Sequence, residues 1–330
     1  MKKCRTLLLR DRTELLSWYE QNKRPLPWRI NRDPYRIWLS ETMLQQTTVT
    51  AVIPYFERFL KRFPTLEKLA HASESQVREQ WAGLGYYSRA TNLWRAAQTL
   101  HQQGGFPKTF ALLSEFPGFG PYTSRAVASL AFGEKVGVLD GNVIRVLSRF
   151  HNWPSEWWRP AERAELQNTI DHWVGPSPSE QFNQAVMELG ATICTPKSPT
   201  CVLCPLRKNC QGLQQKTISQ LPRPKPRRAR EIWLWETTLY IKKNHVALQR
   251  DHCLPFLRGH LVPPGEARRL QNKPAHFSFT HSITHHDIFV RVKIAADKNT
   301  TDKLKWVPIH QLPQHSPASL VKKVLAQYEK

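Results

Sequence analysis

Residues 115–123 read EFPGFGPYT, and this short run decides the fold. Pro117 cannot continue a helix, whereas Gly118 and Gly120 allow backbone conformations that other residues resist. The run therefore predicts two helices joined by a tight glycine hairpin. Such a hairpin can direct backbone N–H groups at the start of the second helix toward a phosphate. An ordinary helix–turn–helix would have a similar pattern, so the interpretation depends on what surrounds it.

A lone carboxylate follows the hairpin after a short apolar run. In VLDGNV (138–143), Asp140 comes directly before Gly141 and Asn142. We expect polar contacts in this turn to keep the carboxylate ionised. A phosphate-binding hairpin beside an ionised carboxylate suggests chemistry on a nucleic acid.

The charge balance favours a polyanionic partner. The 330 residues include 48 Lys and Arg against 26 Asp and Glu, a net charge of +22. Basic surfaces supply the sequence-independent part of DNA affinity, although a protein on an acidic membrane would have the same balance. The apolar run Leu7-Leu8-Leu9 is too short for a signal peptide, and no stretch has the length of a membrane span. We expect a cytoplasmic, nucleoid-associated monomer with no membrane partner.

Most of the cysteines lie in one segment with the spacing C-x6-C-x2-C-x5-C. In a reducing compartment such crowding indicates a metal centre, because four thiolates can surround a zinc ion or an iron–sulfur cluster. The spacing does not distinguish the two, and we expect the centre to fasten a loop. The remaining thiols, Cys4 and Cys253, are interpreted as ordinary. The predicted ligands are Cys194, Cys201, Cys204 and Cys210.

Hydrophobic periodicity predicts a mainly α chain with a small α+β region at its end. A helical domain is expected over 1–214, a basic proline-rich linker over 215–230 and a second domain over 231–330. The second domain should contain strands and a final helix that Ser316 caps, with Pro317 in its first turn. Helices of the first domain are predicted to begin near residue 13 and to cover 40–59, 77–83, 88–102, 122–132 and 181–193.

A second carboxylate has the environment of a general acid. Glu41 follows Trp38 and Leu39, and apolar neighbours should raise its pKa so that it holds a proton near neutral pH. The alternative is a carboxylate at a helix N-terminus near Ser40, stabilised by the helix dipole. A protonated Glu41 and an ionised Asp140 together would suit cleavage of a glycosidic bond through an oxocarbenium-like transition state.

Several motifs in order resemble the adenine DNA glycosylases of the MutY family. This resemblance implies a helix–hairpin–helix glycosylase fold with an iron–sulfur loop that binds a [4Fe–4S] cluster, followed by a small α+β Nudix-like domain. It also implies a base excision repair hydrolase that removes adenine mispaired with 8-oxoguanine or G in double-stranded DNA. The motifs are PYRIWLSETMLQQTTV (34–49), GLGYYSR (83–89), FPGFGPYTSRAV (116–127), LDGNVIRVLSR (139–149), FNQAVMELGATIC (182–194) and the four-cysteine loop.

The resemblance assigns roles to residues of both domains. It implies that Glu41 is the general acid and that Asp140 stabilises the sugar cation. Tyr122 and Asn142 are then polar partners in the active site. The implied DNA contacts are the base-reading Gln184, the wedge residues Gln46 and Tyr86, Leu84 in the same loop, and Gly118 and Gly120 of the hairpin.

One position separates this family from the endonuclease III type of lyase, which shares its fold and cluster. Those lyases have a lysine where this chain has Tyr122, and a phenol cannot form a Schiff base with the sugar. Ile144 occupies another position where some relatives carry a lysine. We therefore expect a monofunctional glycosylase that leaves an abasic site.

The C-terminal part departs from the family pattern. The resemblance implies that Thr284 and His285 read the lesion, but Ile283 replaces the aromatic residue of the family's Phe-Ser-His triplet. Residues 259–264 read GHLVPP instead of the family's Gly-x-Trp-Glu-Phe-Pro run, and 265–276 are few for the usual helix. The spacing of the nearby histidines lacks a supporting carboxylate set and does not predict a metal site.

Two other classes of function fit part of the sequence. A DNA-binding protein without catalysis would keep the basic charge, the hairpin and the cysteine loop. A helical adaptor fastened by zinc would also keep the cysteines. Glu41 and Asp140 favour the enzyme, because a protein that only binds DNA has little use for an acid among aromatic residues.

Overall fold

The computed structural model describes residues 6–175, 177–226, 228–250, 254–257, 260–295, 304–316 and 318–328. The chain divides into two compact units, Met1–Lys225 and Pro226–Lys330. The sequence predictions made for Cys4, Cys253, Gly259 and Pro317 fall outside the described residues. Among the helices of the described ranges, none combines the length and apolar character that a bilayer crossing needs.

Unit 1 is helical, in agreement with the sequence prediction. Short 3-10 turns at Cys201–Leu203, Arg207–Asn209 and Ile218–Gln220 complete it. Its helices are α1 Leu9–Asn22, α2 Pro34–Leu44, α3 Val49–Arg62, α4 Leu66–Ala70, α5 Glu74–Gln80, α6 Ser88–Gln102, α7 Phe110–Leu113, α8 Pro121–Phe132, α9 Gly141–Phe150, α10 Pro160–Val174, α11 Ser179–Thr192 and α12 Gln211–Gln214.

The predicted helix over 40–59 is wrong, because two helices occupy this region. The side chain of Asp33 accepts a hydrogen bond from the Tyr35 amide and starts α2, with Pro34 in the first turn. The helix ends before Gln46, whose φ of +59° is left-handed. Thr48 then caps α3. The alternative in which Glu41 starts a helix is therefore excluded, since Glu41 lies in the last turn of α2.

The glycine hairpin forms between α7 and α8 as predicted. Gly118 has a φ of +81°, and a Cβ there would lie 3.0 Å from the Cβ of Asn92. Gly120 has an ordinary φ of −73°, so the expectation of unusual backbone holds for Gly118 alone. Phe119 stacks on Trp38 of α2 with ring centroids 5.3 Å apart. This stacking ties the hairpin to the helix that carries Glu41.

Part of the predicted linker belongs to unit 1. Leu221 is buried, and its carbonyl accepts a hydrogen bond from the guanidinium of Arg149 at 3.0 Å. The indole of Trp157 donates to the carbonyl of Arg223. The first residues of the linker are therefore packed against α9 and its neighbours, because a buried arginine supplies hydrogen bonds that the composition of the linker does not reveal.

Unit 2 is a mixed sheet with short helices. β1 pairs in parallel with β6 and antiparallel with β4, and its last residues pair with β2. β5 and β6 form an antiparallel hairpin closed by the pair Ile283 and His286. The strands are β1 Glu231–Lys242, β2 His245–Arg250, β3 Leu261–Val262, β4 Gly265–Leu270, β5 Phe279–Ile283, β6 His286–Ala295 and β7 Lys305–Pro308.

The end of unit 2 differs from the prediction in one detail. Helix α13 covers Leu312–His315, and the final helix α14 covers Ser319–Leu325 with Ala318 at its N-cap position. Ser316 does not cap α14, because it is buried and donates its hydroxyl hydrogen bond to the carbonyl of Leu261. Residues 265–270 form β4, as expected for a region too short for the usual helix.

Candidate active site

Glu41 is a buried carboxyl group on the inner face of α2. Its exposed fraction is 6%, and it follows the fully buried Trp38 and Leu39. Burial raises the pKa of Glu41 to about 7, and the charge of Asp140 adds to this shift. A hydrogen bond from Tyr122 and the charge of Arg29 oppose it. The predicted direction is correct, and the group can hold a proton near neutral pH.

Tyr122 begins the second helix of the hairpin and points at Glu41. Its hydroxyl donates a hydrogen bond to Oε2 of Glu41 at 2.5 Å and lies 3.9 Å from the sulfur of Met187. Burial and the two nearby carboxyl groups raise the pKa of Tyr122 well above its usual value. The side chain therefore stays a phenol that donates to the carboxyl group.

Asp140 caps helix α9 and is held by several donors. Its Oδ1 accepts from the amide of Val143 at 2.7 Å, and its Oδ2 accepts from Nδ2 of Asn142 at 2.8 Å. Burial raises the pKa of Asp140, whereas these hydrogen bonds and the charge of Arg145 oppose the rise. The shift is opposite to the one expected from polar contacts alone, because the surrounding protein desolvates the carboxylate.

Helix α11 carries polar side chains toward the same space. Gln184 is bonded through its amide oxygen to the hydroxyl of Tyr19 at 3.1 Å. Four residues later, Glu188 accepts hydrogen bonds from Arg24 at 2.6 Å and Arg29 at 2.8 Å. Burial alone would raise the pKa of Glu188, but the two guanidinium groups lower it below its usual value. Glu188 is therefore a fixed anion between two cations.

A cavity of about 1480 Å³ connects these groups. Its volume is larger than that of most small-ligand pockets, and its lining combines carboxyl, amide, phenol and guanidinium groups. Leu84 and Tyr86 are not in the lining. The predicted residues that line the cavity are Glu41, Gln46, Gly118, Gly120, Tyr122, Asp140, Asn142 and Gln184.

Two loops beside the cavity carry the predicted wedge residues. Gln46 is exposed, and Tyr86 is 53% exposed with a left-handed φ of +48°. Leu84 is buried in the core, so a direct DNA contact is not available to it in this arrangement. Buried Arg89 joins the loops, because its guanidinium donates to the carbonyls of Gln45 at 2.6 Å and of Leu84 at 3.3 Å.

The four cysteines surround one loop after α11. All four thiols are free and partly exposed, and three of them, Cys194, Cys204 and Cys210, pack against the hydrophobic core of this half of unit 1. Arg149 donates from Nη1 to the sulfur of Cys194 at 3.4 Å. In the described residues, no three of these sulfurs lie within 4.8 Å of one another.

The predicted lesion-reading residues occupy the turn between β5 and β6. Thr284 has a left-handed φ of +54°, which is unusual for a β-branched residue, and its hydroxyl lies 3.3 Å from Nδ1 of His285. The ligand atoms of Glu231, His285 and His286 lie within 4.8 Å of one another. Glu231 supplies the carboxylate that the spacing of the histidines did not reveal. Its oxygens already contact Trp233 and Arg269.

Several residues of the site were not predicted from the sequence. Glu188 could have been found, because it lies one helical turn after Gln184 in the same motif. Arg89 could likewise have been found, because it ends the motif GLGYYSR, whereas Arg29 carries no such signal, since basic residues are common throughout this chain. Only the fold shows which of them turn inward.

Comparisons with known proteins agree with this geometry. A family model described as HhH-GPD superfamily base excision DNA repair protein matches residues 39–171. An adenine DNA glycosylase of Buchnera aphidicola subsp. Schizaphis graminum is 35% identical over 240 residues, which is 70% of this chain and 69% of that protein. The human adenine DNA glycosylase is 43% identical over 221 residues, which is 64% of this chain and 40% of the human protein.

Solved structures share the helical fold. A thermostable thymine-DNA glycosylase is 28% identical with a TM-score of 0.57, over 62% of this chain and 95% of that one. A non-covalent endonuclease III–DNA complex is 20% identical with a TM-score of 0.53, over 64% of this chain and 99% of that one. The predicted helix–hairpin–helix glycosylase fold of unit 1 is therefore confirmed.

The fold and the site place residues 39–171 in the HhH-GPD superfamily, whose family model is described as base excision DNA repair protein. Within that superfamily the chain belongs to the adenine DNA glycosylase family, as the sequence motifs indicated. The matched region spans 40% of the length of the human relative and 43% of the mouse relative.

Proposed function

We propose that this chain removes adenine from double-stranded DNA in which adenine lies opposite 8-oxoguanine or G. The observation that carries the proposal is the meeting of Glu41, Tyr122 and Asp140 at one cavity. A base must leave the duplex stack to reach such a cavity. Gln46 and Tyr86, on the two loops that Arg89 joins, are suited to fill the gap that the base leaves.

The reaction follows from the two carboxyl groups. Protonated Glu41 donates its proton to N7 of the adenine, and the bond from C1′ to N9 breaks with its electron pair going to the base. The sugar becomes an oxocarbenium ion, which the negative charge of Asp140 stabilises. Water attacks C1′ and loses a proton to the Glu41 carboxylate, so the acid is restored.

The floor of the cavity supports recognition of an uncharged base. The Glu188 side chain is fully buried and its two oxygens already accept from Arg24 and Arg29, so it holds these two cations in the cavity wall. Gln184 lines the cavity with an amide that has both a donor and an acceptor. A base with both donors and acceptors on its edge, such as adenine, is complementary to this amide.

The absence of an amine at Tyr122 supports a monofunctional enzyme that leaves an abasic site. Lys23 does line the cavity, but it is paired with Glu20. Trapping with borohydride on an adenine-containing duplex tests this point. No covalent protein–DNA adduct is expected. An adduct that forms with the wild type and disappears in Lys23→Gln would contradict the monofunctional reaction.

We also propose that the four cysteines bind a [4Fe–4S] cluster. Four free thiols on one loop can hold either a zinc ion or such a cluster, and the family resemblance favours the cluster. A bound cluster would fasten the loop after α11. A brown protein with a broad visible absorption band is expected, whereas a colourless protein containing zinc would contradict the cluster.

The Nudix-like identity of unit 2 and its reading of 8-oxoguanine also remain proposals. The turn that presents Thr284 and His285 supports the reading of 8-oxoguanine.

The test of the whole proposal is release of free adenine from a duplex by the wild type and by Glu41→Gln. Loss of release with retained duplex binding is expected for Glu41→Gln. Binding without release by the wild type would favour a DNA-binding protein that lacks catalysis.

A further inference from the structure

The segment that ends in Asp140 is held by side chains rather than by a neighbouring strand. Residues 134–140 connect α8 to α9 without helix or strand hydrogen bonding. Buried polar backbone groups need partners, and their loss costs about 1–3 kcal/mol each. The partners of this segment therefore decide where Asp140 lies.

Asn183 supplies two of these partners with one side chain. It is 1% exposed on α11. Its Oδ1 accepts from the amide of Val138 at 2.9 Å, and its Nδ2 donates to the carbonyl of Val136 at 2.9 Å. The amide thus forms the pair of hydrogen bonds that an adjacent strand would supply. Nδ2 also donates to Ser129 of α8 at 2.6 Å.

Helix α10 holds the same segment from another side. Oδ1 of Asp171 accepts from the amide of Gly137 at 2.6 Å, and Nε2 of Gln167 donates to the carbonyl of Gly137 at 2.9 Å. A Cβ on Gly137 would lie 2.6 Å from Cγ2 of Ile170, so only glycine fits against this helix. The backbone before Asp140 is therefore fixed on both sides.

Asn183 also connects two parts of the reaction site. It directly precedes Gln184 on α11, and the amide that it holds lies two residues before Asp140. We propose that Asn183 is a positioning residue that fixes the Asp140 carboxylate relative to the base-reading side of the cavity. This inference rests on the proposed adenine excision. It adds a residue that contacts neither the base nor the sugar.

The test is single-turnover excision by Asn183→Ala on a duplex with adenine opposite 8-oxoguanine. A misplacement of about 1 Å at a reacting group can cost about 100-fold, so a fall of that order in the rate constant is expected. The fraction of active enzyme and the affinity for a duplex with a non-cleavable adenine analogue should change by less than about twofold, because the cavity wall remains.

A merely structural role predicts a different result. The melting temperature falls in either case, because two buried backbone groups lose their partner. With a merely structural role the rate constant of the folded molecules would stay the same, and that result would overturn the proposal. Thr169→Val is the matched control, because Thr169 is buried on α10 and its hydroxyl donates to the carbonyl of Glu165 in its own helix. It should lower stability without lowering the rate constant.

A second variant covers loss of folding. If Asn183→Ala does not fold, Asn183→Ser keeps a polar group that cannot bridge both backbone groups, and the same loss of rate is expected. A wild-type chain that does not excise adenine would contradict the proposed function. An active wild type with an unchanged rate constant in the folded Asn183 variants would overturn the positioning role alone.

Discussion

The hydroxyl of Tyr122 donates a hydrogen bond to Oε2 of Glu41 at 2.5 Å. This contact joins the first residues of the hairpin's second helix to the last turn of α2. It opposes the larger effect of burial, and the balance leaves the pKa of Glu41 at about 7. The hairpin therefore influences the protonation of the carboxyl group that we propose as the general acid.

The rate of excision should fall as the pH rises above about 7, because Glu41 must be protonated to act as an acid. Tyr122→Phe removes a contact that favours the charged form, so the midpoint should move to higher pH. The maximal rate should also fall about tenfold, because the Glu41 carboxyl group loses the hydrogen bond that orients it. Single-turnover rates from pH 5 to 9 measure both effects.

Tyr35→Phe is the control for this pH profile, because Tyr35 lies on the same helix and its hydroxyl bonds to Phe63 instead. It should leave the midpoint unchanged. A midpoint that stays in place in Tyr122→Phe, or moves to lower pH, would contradict the assignment of Glu41 as the acid.

The Glu41 carboxyl group should lower the free energy of unfolding at alkaline pH. The folded state raises the pKa of Glu41 to about 7, so folding favours its protonated form. Stability from this group is present below its unfolded pKa and declines as the pH rises toward 7. Glu41→Gln should match the wild type near pH 4.5 and exceed it at pH 8 by at most about 3 kcal/mol.

Denaturant unfolding at both pH values measures this difference. Glu115→Gln, a change on an exposed carboxylate, serves as the control and should show no comparable gain. Equal stability of Glu41→Gln and the wild type at pH 8 would mean that Glu41 is not desolvated in the folded protein.

Arg89 should be needed to order the two loops that carry Gln46 and Tyr86. Its guanidinium donates to carbonyls of residues 42, 43 and 45 on one side and of 84 and 85 on the other. Arg89→Ala should cost about 2–4 kcal/mol of stability, because buried carbonyls lose their donor. Duplex affinity should fall about tenfold, since the loops must be ordered on binding.

Arg58→Ala is the matched control for Arg89. The Arg58 side chain is exposed and bonds to one carbonyl, that of Gln80. Filter binding and thermal melting should show little change in this variant. A loss of stability in Arg89→Ala without any loss of affinity would remove the link between this arginine and the DNA-facing loops.

The turn of unit 2 should govern the preference for 8-oxoguanine. His285→Ala should lower the ratio of rates for A opposite 8-oxoguanine and A opposite G by about tenfold, the value of one lost hydrogen bond. The rate on A opposite G should remain. His245→Ala, in which a histidine bonded to Lys243 is removed, is the control. An unchanged ratio in His285→Ala would assign lesion reading elsewhere.

The sequence was most informative where local chemistry decides the structure. The predicted helix over 88–102 agrees with α6, and the hairpin, Glu41 and Tyr122 meet as the motifs indicated. The break after α2 was missed, because it needs a left-handed Gln46, and the carbonyl just before it is bonded to Arg89, more than forty residues away in the chain. Local periodicity does not contain such long-range hydrogen bonds.

The burial of individual side chains was the property that was hardest to predict from the sequence. Asp140 was expected among polar contacts, which it has, yet desolvation raises its pKa. Leu84 belongs to a motif with exposed neighbours but packs into the core. Both differences arise from the packing of distant helices, so they could be read only from the assembled fold.

Single-turnover cleavage of a duplex with one adenine opposite 8-oxoguanine, with and without alkali, tests the central claim most directly. Abasic sites that break only after alkali are expected, faster than on a duplex with A opposite G. Strand breaks without alkali would contradict the role of Tyr122. No product under either condition would contradict adenine excision by the site that Glu41 and Asp140 form.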